Sequence, residues 1–153
     1  MQNNLHINTI IPNLKAGNAK QVFQKLSAHV SNMIGVSQKE LYRLLVKQED
    51  SLNSGVGHGV AIAHAKLPRL TRPIILYARL EQAVHFDAAD GELVDMVAVV
   101  LSPEFETAPH LQRLATVTRF FTNYENRLSL QQATDYESIR RAIDDIQSRK
   151  KAA

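Results

Sequence analysis

No cysteine occurs among the 153 residues of this chain. Disulfides, thiolate catalysis and thiolate-bound zinc are therefore excluded. The longest apolar run falls far short of the roughly 20 residues that cross a bilayer. The start, Met1-Gln2-Asn3-Asn4-Leu5-His6, also lacks the basic-then-apolar pattern of a secretory signal. A soluble, cytoplasmic protein without membrane insertion is expected. Internal repeats, low-complexity stretches and linkers are missing too, so residues 1–153 are expected to form a single domain. The Gly-x-x-x-x-Gly-Lys nucleotide loop and the Gly-x-Ser-x-Gly nucleophile elbow are both absent. The net charge is +3, but acidic and basic residues alternate along most of the chain and no RNP, helix-turn-helix or zinc-finger pattern accompanies them. No nucleic-acid partner is expected.

What is present reads as an α/β sandwich. Residues 1–17 read as an irregular N-terminal segment broken by Pro12 and Gly17. Asn18 can cap a helix with Val22, Leu26, Val30 and Met33 on one face, closed by Gly35. Ser37–Glu40 forms a capping box for a second helix with the stripe Leu41, Leu44 and Leu45. Val60–Ala63, Pro73–Ala78 and Val94–Leu101 read as strands, the last so continuously apolar that both faces of its sheet should be covered. Leu111, Leu114, Thr118 and Phe121 suggest a helix after Pro109. A second capping box, Thr134–Glu137, precedes Ile139, Ala142, Ile143 and Ile146. Lys66, Arg69, Arg72 and Arg79 form a basic stretch suited to an acidic or phosphorylated partner, and Arg149-Lys150-Lys151 reads as a solvated tail.

The most informative stretch is Gly55-Val56-Gly57-His58-Gly59, followed by the apolar run Val60–Ala63 and then His64-Ala65-Lys66. Glycines can aim backbone N–H groups at an anion, and His64 sits where a short buried strand would end. Among the six histidines, His6 reads as incidental, His85 as an exposed position of a short extended segment, and His29 as packed on the first helix stripe. His58, His64 and His110 remain as functional candidates. His110, in a first helical turn, would be kept neutral by the helix dipole and could donate one hydrogen bond to a phosphoryl oxygen. His58, His64, His110 and Asp87 could be imagined around a metal, but no His-x-x-x-His pair supports it, so no metal or cofactor is expected. The acidic run Asp87, Asp90, Glu92 and Asp95 reads as turn and strand-edge chemistry.

In order and spacing, the segment 55–67, Phe86-Asp87-Ala88, Val94-Asp95, Ser102-Pro103 and His110-Leu111-Gln112-Arg113-Leu114 resemble one family. These residues resemble the mannitol/fructose-type enzyme IIA domains of the phosphoenolpyruvate:sugar phosphotransferase system, nearest the nitrogen-regulatory branch, IIA-Ntr. The likeness spans residues 40–122. It implies a mixed sheet with helices on both faces and phosphorylation of His64 on Nε2 by a phosphohistidine protein of the HPr or NPr type. It also implies a hydrogen bond from His110 to the phosphoryl group, with Gly57, His58, Gly59 and Lys66 holding its oxygens. No metal, nucleotide or other cofactor is implied. Potassium transport or sensor proteins are the partners the branch suggests.

Four positions depart from the family pattern. Gln48, beside Lys47, stands where an arginine is usual; Ala63 replaces the proline before the histidine and Ala65 the glycine after it; His58 replaces an asparagine. If that glycine needs a positive φ, Ala65 would be strained. Three functions follow: a phosphocarrier that regulates a partner by its phosphorylation state, a binding module that is phosphorylated poorly, or a sugar-specific IIA that passes its phosphoryl group to a IIB protein.

Overall fold

The computed structural model describes residues 5–51 and 53–152, with side chains described up to Arg149. Among these residues the chain forms β1 (Thr9–Leu14), α1 (Ala19–Ile34), α2 (Gln38–Ser51), β2 (Gly55–Gly57) and β3 (Val60–Leu67). It continues with β4 (Ile74–Val84), β5 (Val94–Pro103), α3 (Ala108–Thr122), α4 (Tyr124–Gln132) and α5 (Tyr136–Ala152). The five strands make one mixed sheet in the order β1-β4-β5-β3-β2. β1 is parallel to β4 and β3 to β5, whereas β4–β5 and β2–β3 are antiparallel.

Side chains alternate across the strands, so each strand feeds two cores. Ala61, Ala63, Ala65, Leu67, Val97, Val99 and Leu101 face one side and pack with Val22, Phe23, Leu26, Leu41 and Leu45 of α1 and α2. Val60, Ile62, Tyr77, Met96, Ala98 and Val100 face the other side, with Val117, Phe121, Leu130, Ile139 and Ile143 of the C-terminal helices. This is the expected α/β sandwich, with its sheet covered on both faces. Tyr77 and Phe121 stack with ring centroids 5.2 Å apart, joining sheet to helix at the middle of the second core.

The caps explain most helix boundaries. Asn18 accepts from Gln21 N at 2.9 Å, and Gly35 ends α1 in the left-handed region at φ 71°. Ser37 Oγ accepts from Glu40 N at 3.2 Å. Ahead of α5 the cap is one residue later than the sequence suggests: Ser138 N donates to Asp135 Oδ1 at 2.7 Å.

Other expectations are corrected. The segment 1–17 is not irregular throughout, because β1 forms within it. Pro12 is tolerated there because β1 is an edge strand pairing only with β4, and the register shifts between Ile11 and Leu14. Met33 and His29 lie on the exposed side of α1 rather than in its stripe. α4 escapes the periodicity because only Leu130 is buried on it; it starts where Asn123 accepts from Asn126 N at 3.0 Å. Strands β3, β4 and β5 all run longer than their apolar cores. Arg149 is exposed, whereas the side chains of Lys150 and Lys151 lie outside the described residues.

Candidate active site

His64 lies within β3, opposite Val100 of β5, not at the end of a strand. The alternation that sends Ala63 and Ala65 toward α1 and α2 sends His64 to the α3 side, between Ile62 and Lys66. The ring is half-buried. Beside it, His110 of α3 is buried and directs Nε2 at His64 Nδ1, 3.2 Å away.

Helix α3 is rotated so that His110 belongs to its inner face. His110, Leu114, Val117 and Phe121 follow at helical spacing, whereas Leu111 is 60% exposed. The stripe expected through Leu111 is thereby corrected: His110 opens the buried face, and Leu111 flanks it on the surface.

Behind His110 the polar contacts continue. His110 Nδ1 lies 2.7 Å from Ser102 Oγ on β5, and Arg113 Nη1 donates to the same oxygen at 2.7 Å. Arg113 also pairs with Glu106 Oε1 at 3.0 Å. Ser102, Glu106 and Arg113 are site residues that sequence reasoning missed. A serine closing an apolar strand in alternation with Ala98 and Val100, and an arginine three residues after His110, were the available signals.

Both imidazoles are held toward the neutral form. Burial lowers the His64 pKa from its ordinary value. For His110 burial is again the main cause, assisted by the positive charges of His64, Lys66 and Arg113 and opposed by Glu106. Lys66 is exposed two residues beyond His64 on the same strand face, so its charge acts at the site.

Gly57, His58 and Gly59 are not brought to His64. They form the β2–β3 turn at the start of β3, with φ of 93°, 57° and 82°. Five residues of strand, at about 3.3 Å each, separate Gly59 from His64 by roughly 16 Å. The turn is tied to the 87–95 segment: His58 N donates to Asp90 Oδ2 at 2.8 Å, and Gly59 O accepts from Asp95 N and Met96 N, both at 3.1 Å. Asp90 also accepts from Glu92 N at 3.0 Å, and these backbone donors hold its pKa below the ordinary carboxylate value. The acidic run therefore performs the turn chemistry expected of it. The glycines serve backbone geometry there, not anion binding at His64. The His58–His64–His110–Asp87 set does not converge either, and among the described residues no three His, Cys, Asp or Glu side chains are placed to hold a metal.

Ala65 is an ordinary strand residue: among the described non-glycine residues only His58 and Asp87 have positive φ. Ile62 N donates to Ser54 O at 2.8 Å, so the chain before Ser54 runs back along the edge of β3 toward His64. In the last turns of α2, Gln48 is half-buried and Lys47 exposed. Neither side chain is hydrogen-bonded to His64 among the described residues. The basic stretch divides: Lys66, Arg69 and Arg72 are exposed, but Arg79 turns inward and donates to Leu130 O at 3.0 Å.

The histidine pair lies on a mixed sheet between two helical layers, and sequence comparison assigns the family. Residues 3–146 match the family described as "Phosphoenolpyruvate-dependent sugar phosphotransferase system, EIIA 2", and the chain belongs to that family. Within it the chain is of the nitrogen-regulatory, IIA-Ntr, type. A "Nitrogen regulatory protein" of Bradyrhizobium diazoefficiens is 35% identical over 130 residues, covering 85% of each chain. The crystal structure of nitrogen regulatory protein IIA-Ntr from Neisseria meningitidis superposes with a TM-score of 0.80 at 25% identity, over 88% of this chain and 92% of that one. Enzyme IIA of mannitol from Escherichia coli, in its complex with phosphorylated enzyme IIB, shares the fold with a TM-score of 0.74 at 13% identity, over 93% and 98% of the two chains. Among the described residues no helix is long and apolar enough to cross a membrane.

Proposed function

We propose that this protein is a phosphocarrier of the nitrogen-regulatory phosphotransferase system, taking a phosphoryl group on His64 Nε2 from an HPr- or NPr-type protein. The observation that carries this reading is the His64–His110 contact. It occupies Nδ1 of His64 and leaves Nε2 as the nitrogen free to react.

A neutral His64 attacks through Nε2 when its proton is on Nδ1, where His110 Nε2 can accept it. As the new N–P bond forms, the donor's N–P bond breaks and its electron pair returns to the donor imidazole. A donor ring protonated on its other nitrogen leaves neutral, and the positive charge passes to the His64 ring. Its Nδ1 proton then faces His110. Transfer of this kind asks a protein mainly for alignment and charge stabilisation. Lys66 supplies positive charge for the phosphoryl oxygens from the neighbouring position on the same face.

Phe105, 79% exposed, and Leu111, 60% exposed, flank His110, and Lys66, Arg69 and Arg72 lie exposed on and just after β3. An apolar rim beside positive charge suits a docking phosphoprotein. The protein acts in the cytoplasm, and its phosphorylation state regulates a partner.

The test is incubation with phosphoenolpyruvate, enzyme I and NPr or HPr while intact mass is followed. The expected result is one acid-labile phosphoryl addition that is lost in His64→Ala. No mass change with any of these donors refutes the reading and leaves the alternative of a binding module.

A further inference from the structure

We infer that Ser102, Arg113 and Glu106 are positioning residues that fix the proton of His110 on Nε2, so that His110 donates to Nδ1 of the phosphorylated His64 ring and keeps it neutral. This rests on His64 being the phosphoryl acceptor.

The inference follows from counting protons. Arg113 can only donate, and Nη1 has two protons, one directed at Ser102 Oγ (2.7 Å) and one at Glu106 Oε1 (3.0 Å). Ser102 is 0% exposed, and among the described residues its hydroxyl meets only Arg113 and His110 Nδ1. One lone pair accepts from Arg113, so the buried hydroxyl proton is satisfied by donating to His110 Nδ1. A neutral His110 then carries its own proton on Nε2, 3.2 Å from His64 Nδ1.

That direction of hydrogen bonds fits the phosphorylated ring. With phosphorus on Nε2, a neutral His64 offers Nδ1 only as an acceptor, and every group in the chain from Glu106 to His64 is satisfied. Protonating Nδ1 makes a phosphoimidazolium, whose N–P bond breaks more readily because a neutral imidazole leaves. To accept that proton, His110 would have to carry its own on Nδ1, which strands the buried Ser102 hydroxyl proton. The charged and titratable groups around the pair, Lys66 from β3, Arg113 from α3 and Glu106 from the connection between β5 and α3, sum to net positive charge, which also opposes protonation. In the unphosphorylated protein the same direction puts the proton of a neutral His64 on Nε2. Attack therefore needs the chain reversed. One proton must leave the His64–His110 pair for solvent afterwards before Nδ1 is bare and the resting direction returns, so the network favours holding a phosphoryl group over accepting one.

Nitrogen-15 NMR of the wild-type histidine rings, before and after phosphorylation, reads the proton positions directly. His110 should show a bare Nδ1 and a protonated Nε2; a protonated Nδ1 overturns the inference. In phosphorylated Ser102→Ala, hydrolysis at neutral pH should accelerate roughly three- to tenfold, the weight of about one hydrogen bond. The pH at which hydrolysis quickens should also move upward, and Ser102→Thr should reverse both effects by restoring the hydroxyl. A folded Ser102→Ala that holds its phosphoryl group as long as wild type, with the same pH profile, also overturns it. If the wild type accepts no phosphoryl group, the phosphocarrier reading fails, and the NMR of the unphosphorylated protein still decides whether Ser102 orients His110.

Discussion

Replacing Gly59 by alanine separates two roles for the glycine segment: building a turn, or binding the phosphoryl group. Gly59 has a φ of 82°, and an added Cβ would lie 3.3 Å from Asp95 Oδ1 and 3.5 Å from Leu93 O. An L-residue in the left-handed region costs about 1–2 kcal/mol. The Asp95 contact is tight, but it involves a carboxylate oxygen that can give by a few tenths of an ångström, so the backbone term should dominate. For a domain of this size about 1–2 kcal/mol lowers the melting midpoint by roughly 2–8 °C. Calorimetry measures that shift, and phosphoryl uptake is then timed at a temperature well below both midpoints. Since about 16 Å of strand lies between Gly59 and His64, uptake should stay within about twofold of wild type, an allowance far below the tenfold that 1.4 kcal/mol represents. A variant as stable as wild type but phosphorylated more than about tenfold slower would refute the reasoning and return the glycines to the site.

Histidine protonation should set the acid side of the stability curve. Burial holds the His64 and His110 pKa values below the ordinary histidine value in the folded protein, so the unfolded chain binds these protons first. Stability should be full above about pH 6.5, fall as pH drops from there toward the depressed folded values, and then level off. Urea titrations across pH 5–8 check this, and His64→Gln combined with His110→Gln should flatten the slope. Gln48→Arg should raise the rate of phosphoryl uptake by roughly three- to tenfold, because a guanidinium can grip phosphoryl oxygens bidentately; an unchanged single-turnover rate would show that this helix turn does not reach the transferring group. Phe121→Ala empties a fully buried position that stacks on Tyr77 at 5.2 Å. It should cost about 3–5 kcal/mol in urea unfolding.

The sequence shows the layers more clearly than the site. Val94–Leu101 is apolar without a break because both cores need it, and that continuity is visible in any single sequence. Asn18, Gly35 and Ser37 announce helix ends because capping is local. β1 is less visible, since Pro12 argues against a strand until the sheet shows it at an edge, where the missing N–H matters less. α4 is nearly silent because it buries little. At the site, His64 and His110 are legible through resemblance, but their mutual geometry is not. The distance between them depends on α3 turning His110 inward, which the Leu111 stripe obscured. Ser102 and Arg113 read as a strand end and a helix surface, and they become a pair only once β5 and α3 pack.

The departures from the family pattern differ in kind, and the structure sorts them. Ala63 and Ala65 point into the core shared with α1 and α2, so they change packing behind the strand and leave the His64 ring face untouched. His58 occupies a left-handed position at φ 57°, a conformation that asparagine and histidine both visit more readily than most residues. Its imidazole is exposed at the far end of β3 and adds nothing to the chemistry of His64. Gln48 alone exchanges the charge usual at its position for a neutral amide, in the last turns of α2. With His64 as the proposed phosphoryl acceptor, positive charge from Lys66 and the imidazole of His110 are what remain beside it to stabilise the group. On the proposed phosphocarrier reading, a site built this way gives up some charge during transfer but keeps the hydrogen bond to Nδ1, which favours retaining the phosphoryl group over passing it on quickly.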